Sequence, residues 1–332
     1  MSIRKLMFVG VVAGLAIVSG CGRLSPIPTI SFSVEKLTAA TVRVEAPLGW
    51  VRYEWHFGDG SVAEGQQAEH AYDAPGDYAI DLKALSVDGN YAFAHRIVSV
   101  HRDFHVGTAE GVSSDYSSIQ PAVDAAEPGD MILIHGEHIA NVVIDKAIAL
   151  RGPCTLSSVT ARPVLHVRAD GVTLENLSFE WAGDEATAGG ALRLEAAAIE
   201  VVGCSFDDHS GSSGGAVYAI ESDALFSDCT FSDNRADIDG GAVYCEGDRA
   251  FPTFRRCTFS DNRADAGGAL AVRATTQVTL DASPLRVEDC LFERNRARSP
   301  QAGGAIHVGV SCRTVLDGNT FIANGVLEVV YE

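Results

Sequence analysis

The chain has 332 residues, with 25 Lys and Arg against 44 Asp and Glu, a formal net charge of −19, and 46% hydrophobic residues. Such acidity excludes a nucleic-acid-binding role and contact with an anionic bilayer through the protein surface, and it favours solubility and cation binding. The length suffices for two domains and a substantial core, and no segment after residue 20 reaches membrane-span length.

Arg4 and Lys5 precede an apolar run from Leu6 to Val18 that is short for a membrane span, and Val18-Ser19-Gly20-Cys21 follows. This resembles a bacterial lipoprotein signal. The resemblance implies a signal peptide over residues 1–20, lipidation of Cys21, a tether over 21–28, and membrane attachment through that lipid. Gly22 in place of Asp implies the outer membrane, at its cell-surface or periplasmic face. An uncleaved anchor or an ordinary signal peptide are the alternatives. Arg4 and Lys5 are the only charged residues before Cys21, so the remainder is two units more negative than the whole.

Residues 29–102 form the next segment. Trp55 and Phe57 alternate as on a strand, Gly58-Asp59-Gly60 and Pro75-Gly76 mark tight turns, and Tyr78, Ile80 and Leu82 resume the period of two. The run Tyr53-Glu54-Trp55-His56-Phe57-Gly58-Asp59-Gly60, with His70-Ala71-Tyr72 and Pro75-Gly76-Asp77-Tyr78, resembles the polycystic kidney disease (PKD) domain. That implies a small Ig-like β-sandwich acting as a spacer or docking unit, although its first strand matches the motif poorly.

Residues 103–112 are expected to be a linker, and 113–332 a second domain. Ser117 and Gln120 fit a capping box, Ile119, Ala122, Val123 and Ala126 share one helical face, and Pro128-Gly129 stops the helix. A short amphipathic helix ahead of the strand Met131-Ile132-Leu133-Ile134 resembles the N-terminal cap of pectin-lyase-like domains. Such a plug covers the strand backbone and core at the end of a solenoid.

From here the chain repeats. Gly-Gly-Ala followed by an aliphatic residue occurs at Gly189, Gly214, Gly240, Gly267 and Gly303, and a phased column holds Phe179, Phe206, Phe231, Phe259, Phe292 and Phe321. Two residues before each Phe stands Leu177, Cys204, Cys229, Cys257, Cys290 or Asn319, and three before that stands Leu174, Val201, Phe226, Phe254, Val287 or Leu316. The short β-branched and aromatic runs read as strands, and polar pairs such as Ser227-Asp228, Arg255-Arg256 and Glu288-Asp289 predict a bend between two strand segments. One coil spans about 28 residues, so like residues stack at the strand spacing of ~4.8 Å. The expected fold is all-β: an Ig-like sandwich followed by a right-handed parallel β-helix. Gly-Gly-Ala in phase with Phe-x-x-Asn (Asn234, Asn262, Asn295, Asn324) resembles the repeat of the polymorphic outer-membrane proteins within the pectin-lyase-like superfamily. The resemblance covers roughly 107–332 and implies a surface-displayed binding or adhesion scaffold, although the membrane barrel of that family is absent here and His209 replaces one Asn.

No catalytic residues are assigned. The Gly136 to Asn141 loop carries His138 and Ala140 where the pectin-lyase-like loop has Tyr and Glu, and Asp207-Asp208-His209 is the only echo of a galacturonan-hydrolase site. Asp208, Asp233 and Asp261 each follow a repeat Phe by two residues, and Arg235, Arg263 and Arg296 directly follow the repeat Asn. Stacked like charges need offsetting, either by a solvated Asp and Arg ladder or by a Ca²⁺ ion; otherwise no cofactor is expected. The stacked Asn234, Asn262 and Asn295 read as amide ladders inside a turn. Cys204, Cys229, Cys257 and Cys290 read as a size-matched apolar stack, with disulfides between coils as the alternative. His135 and His138 form a weak metal signal.

The leading expectation is a non-catalytic, lipid-anchored surface protein that binds a polysaccharide or a surface protein through its β-helix. A polysaccharide lyase or glycoside hydrolase of the pectin-lyase-like fold, and a structural envelope protein, are the alternatives. The binding residues are not identified by the sequence.

Overall fold

A computed structural model describes residues 29–331 apart from 38–39, 109–112, 161, 182–188, 249–250, 276–283, 300, 311 and 326. The lipidation candidate Cys21 therefore lies outside the described residues. The chain divides into two compact units between His101 and Arg102.

In the first unit, Ser33–Lys36, Thr41–Glu45 and Gln67–Ala71 form a three-stranded antiparallel sheet, and Val62–Glu64, Arg52–His56, Gly76–Leu85 and Tyr91–Val100 form a four-stranded one. Inward residues of both sheets, including Val42, Val44, Trp55, Ile80 and Leu82, make one core. The expected alternation holds: Trp55 and Phe57 are fully buried, and the Trp55 Nε1–H donates to Gly65 O at 2.8 Å. Gly58 has φ +85° and its missing Cβ would lie 2.8 Å from Ala79 N, so both conformation and space exclude a side chain. Asp59 closes the same turn by accepting from Ser61 N at 2.9 Å and meeting His70 Nε2 at 2.6 Å.

The expected linker is corrected at its start. Asp103–Val106 is a strand and pairs in parallel with Met131–Ile134. Arg102 holds that entry in place, because its backbone N–H and guanidinium both donate to the fully buried Asp130. The capping helix runs Ile119–Ala125 and buries Ile119, Ala122 and Val123. The capping box is also corrected: Ser118 is the N-cap, without a side-chain cap bond. Gln120 instead exchanges hydrogen bonds with the backbone of Val143, fastening the helix to the strand Val142–Ile144.

The solenoid rises by parallel pairing of each coil with the next. One sheet carries the Leu174, Val201, Phe226, Phe254, Val287, Leu316 column and the Phe179 to Phe321 column in register. A second, eight-stranded sheet runs from Val142–Ile144 to Val329–Tyr331, its five strands from Leu192–Glu195 to Ile306–Val308 each following a Gly-Gly-Ala motif, and a short four-stranded sheet joins Ser210–Gly211, Arg235–Ala236, Arg263–Ala264 and Arg296–Ala297. The Phe rings stack with centroids 4.6–5.1 Å apart.

The bend predicted at the polar pairs is present. The second residue of each pair, Asp228, Arg256 and Asp289, has φ between 52° and 57°, a single left-handed residue that turns the strand. Both glycines of the repeat are required. Gly240 has φ +60°, and a Cβ on Gly241 would stand 2.0 Å from Gly268 O in the next coil. The Asn ladder is buried as expected: Asn262 Nδ2 donates to Phe231 O and to Asn295 Oδ1, while its Oδ1 accepts from Asn234 N and Nδ2. His209 takes the first place in that column, with its N–H donating to Asn234 Oδ1. The cysteine column is longer than the sequence indicated, since Cys154 pairs in register with Leu177 at its start. Its thiols are free and several donate to carbonyls, as Cys229 does to Ser227 O at 3.3 Å.

Gly241→Ala is expected to lower stability by about 3 kcal/mol through this collision. Gly60→Ala, whose Cβ meets nothing within 4 Å, is expected to cost only about 1 kcal/mol for its left-handed backbone. Asn262→Ala leaves ladder partners on both sides unsatisfied and is expected to cost about 2–4 kcal/mol. Chemical denaturation of the three variants measures the order.

Candidate binding face of the solenoid

Two residues beyond Phe206, Phe231, Phe259, Phe292 and Phe321 the backbone enters the left-handed region, at Asp208, Asp233, Asp261, Arg294 and Ala323, with φ between 54° and 57°. Asp tolerates that conformation better than most residues, so backbone geometry is the first reason for the acidic column. The column then changes sign. Arg294 reaches back one coil and holds both oxygens of Asp261, with Nη2 to Oδ2 at 2.7 Å. The Arg294 hydrogen bond keeps the Asp261 carboxyl below its ordinary range. Asp233 has no such hydrogen-bonded arginine among the described residues: burial, and the charges of Asp261, Asp207 and Asp208, push its carboxyl up against the weaker pull of Arg263. Among the described residues no group of three or more His, Cys, Asp or Glu stands close enough to hold a metal ion. Asp208, Asp233 and Asp261 thus share a column without converging as a ligand set.

The other sequence candidates separate as well. Asp207 and Asp208 are exposed while His209 is buried, and burial pushes its imidazole down to about 4. His138 Nε2 meets the backbone carbonyl of His135 at 2.9 Å, whereas the His135 ring faces His105 Nδ1 at 3.3 Å. His105 lies in the segment read as a linker, which is why the pairing escaped the sequence.

The residue after each repeat Asn belongs to the short four-stranded sheet. Ser210, Arg235, Arg263 and Arg296 stand in register on successive strands, and the three guanidiniums are exposed. Neighbouring arginines are consumed by carboxylates: Arg294 by Asp261, Arg298 by Asp265 at 2.7 Å, Arg256 by Asp228 at 2.7 Å and Arg255 by Glu288 at 2.8 Å. Arg235, Arg263 and Arg296 form no salt bridge among the described residues. A shallow cavity of about 230 Å³ lies at one end of this strip, lined by Ser210, Gly211, Arg235 and Asp237. Another of about 420 Å³ lies at the other end, beside Arg296 and Arg298. A file of guanidiniums one strand spacing apart can hold a chain that presents anionic groups at a similar repeat.

The Gly-Gly-Ala sheet carries a second polar and aromatic file that the repeat did not reveal. The Arg193 guanidinium lies 5.2 Å over the Tyr218 ring, Tyr218 and Tyr244 are 5.3 Å apart, and Tyr218 Oη donates to Glu246 at 2.7 Å. Burial pushes the Tyr218 hydroxyl up to about 12.

Among known families, the one described as "Right handed beta helix region" matches residues 148–329, and "PKD domain" matches residues 31–97. No curated protein matches the chain. Among solved structures, the PKD1 domain of the Vibrio cholerae metalloprotease PrtV is 22% identical, with 22% of this chain and 95% of that one covered and a TM-score of 0.20. The PKD1 domain of Vibrio anguillarum Epp is 21% identical, with 21% and 89% covered and a TM-score of 0.20. The family 28 exopolygalacturonase of Yersinia enterocolitica is 8% identical, with 91% and 97% covered and a TM-score of 0.22. The fold rests on the strand register and the two family matches, not on these superpositions.

The two carboxylates with opposite shifts lead to opposite outcomes. Asp233, raised in the folded state, opposes folding at neutral pH, and that penalty disappears as pH falls through its folded value. Asp261, lowered, contributes stability above its unfolded value near pH 4 that is lost as pH falls through the folded one. Asn preserves the left-handed backbone at both sites. At pH 7, Asp233→Asn is therefore expected to raise Tm and Asp261→Asn to lower it, each by about 1–2 °C because both groups are partly solvated. Calorimetry across pH 3–7 reads both signs, and a melting shift on adding Ca²⁺ would support an ion site at this column.

Proposed function

Because this chain belongs to the right handed β-helix family, with a PKD domain ahead of the solenoid, we propose that it is a non-catalytic binding protein displayed at the cell surface. In this reading the lipid on Cys21 anchors it to the outer membrane, the PKD domain serves as a spacer, and the β-helix recognises a polysaccharide or a surface protein. The observation that carries the proposal is the file of Arg235, Arg263 and Arg296. In a chain of net charge −19, three exposed, stacked arginines without salt bridges among the described residues form a cationic strip, with only the longer-range pull of Asp233 and Asp261 upon it. A ligand with carboxylate or sulfate groups along its length matches that strip, and an acidic glycan fits it better than a neutral one.

A glycan array probed beside an activity screen on acidic polysaccharides tests the reading. Acidic glycans are expected to bind, with affinity falling steeply between 50 and 500 mM salt, and the Arg235→Gln, Arg263→Gln, Arg296→Gln triple variant is expected to lose at least about tenfold. Unsaturated or reducing-end products would overturn the non-catalytic reading, and unchanged binding by the triple variant would overturn the site. Cys21→Ala is expected to move the protein from the membrane fraction to the soluble fraction.

A further inference from the structure

Among the described residues the strand Tyr91–Val100 is the edge of its four-stranded sheet and pairs along its whole length with Gly76–Leu85 on one side only. The opposite edge of that sheet is the three-residue strand Val62–Glu64. Long edges are normally blunted by proline, a bulge or charge, because their free N–H and C=O groups template further pairing. This one contains no proline and keeps an unbroken register. Its outward face carries no Lys, Arg, Asp or Glu of its own: Tyr91 is 51% exposed, Phe93 69% and Ile97 68%, with His95 and Ser99 between and beyond them. Arg96 is the nearest charge on the inward side, and its guanidinium is folded 5.7 Å over Phe32 of its own core.

We propose that two copies of the chain join edge to edge, antiparallel, through Tyr91–Val100, about a two-fold axis at His95. The strand is self-complementary in that register. Phe93 falls opposite Ile97 of the second copy and Ile97 opposite its Phe93, giving the aromatic and β-branched cross-strand pair twice, while Tyr91 meets Ser99. A slip of one residue would set outward side chains against inward ones. A slip of two shortens the overlap at its ends and sets Phe93 against His95. The dyad itself is electrostatically quiet, because each His95 Nδ1 already meets Asp81 Oδ1 at 2.7 Å. The contact is isologous and closes on itself, so it yields a dimer and not a fibre. It also places two guanidinium files in one particle, which strengthens binding to a long ligand without any new contact.

Sedimentation equilibrium of the full chain carrying Cys21→Ser tests the proposal. A monomer–dimer equilibrium is expected, with Phe93→Lys weakening it at least about tenfold while circular dichroism and Tm stay unchanged. His95→Cys is expected to cross-link into a covalent dimer under mild oxidation, because residues facing each other across a two-fold lie within disulfide range. Ser99→Cys, which would face Tyr91, is expected not to cross-link. A chain that stays monomeric up to about 0.1 mM would overturn the proposal. So would a dimer that survives Phe93→Lys or that His95→Cys leaves uncrosslinked.

Discussion

The close approach of successive coils at the Gly-Gly-Ala corner governs this solenoid. A Cβ on the second glycine would meet the carbonyl of the next coil at 2.9 Å for Gly190, 2.4 Å for Gly215, 2.0 Å for Gly241 and 2.1 Å for Gly268. At these four positions the nearest obstacle is backbone, which cannot swing aside, so these corners close only with glycine, whereas the coils carrying Ala140, Pro163 and Leu327 at the aligned position do without it. Once the corners are locked at strand spacing, every other column must stack on itself. The Phe rings lie nearly parallel for this reason, and a buried Asn must find its partner in the Asn above. The amide suits such a column because it donates and accepts at once, and so it passes the pattern from coil to coil without an unsatisfied group.

The same regularity explains what the sequence revealed. A column that recurs through five or six coils is visible as spacing, and the bend at Ser227-Asp228 was legible because its polar residues interrupt an apolar period. Features made by one coil alone had no such signal. Cys154 was missed because Leu177 interrupts the thiols, and Asp103–Val106 because a single short strand before the repeat looks like any connector. The Arg193, Tyr218 and Tyr244 file was missed because its members occupy one column with different residue types. The helix cap failed for a further reason: the hydrogen-bonding capacity of Gln120 was taken by the backbone of Val143, a tertiary partner that local spacing cannot show.

Backbone demand and surface chemistry can be separated column by column. The left-handed sites select residues that tolerate φ near +55°, and Asp is favoured there whatever the surface requires. The resulting carboxylate stack is then relieved locally, by Arg294 on Asp261, while Asp233 keeps an unfavourable charge. An acidic column of this origin is weak evidence for a cation site.

The arginine column has no comparable backbone cause. Arg235, Arg263 and Arg296 are strand residues in an extended conformation open to any side chain, and Ser210 occupies the same column one coil earlier. Their side chains are exposed, so core packing does not select them, and repulsion between stacked cations disfavours them. Arg255, Arg256, Arg294 and Arg298 each form a salt bridge with a carboxylate, and among the described residues these three do not, although the charges of Arg263 and Arg296 are felt by Asp261. A residue type repeated where conformation and packing leave the choice free, and where electrostatics opposes it, is the ground on which the proposed binding face rests. Under that proposal the solenoid would offer a long ligand a rigid row of charges whose spacing is set by the hydrogen-bonded backbone and not by the side chains themselves.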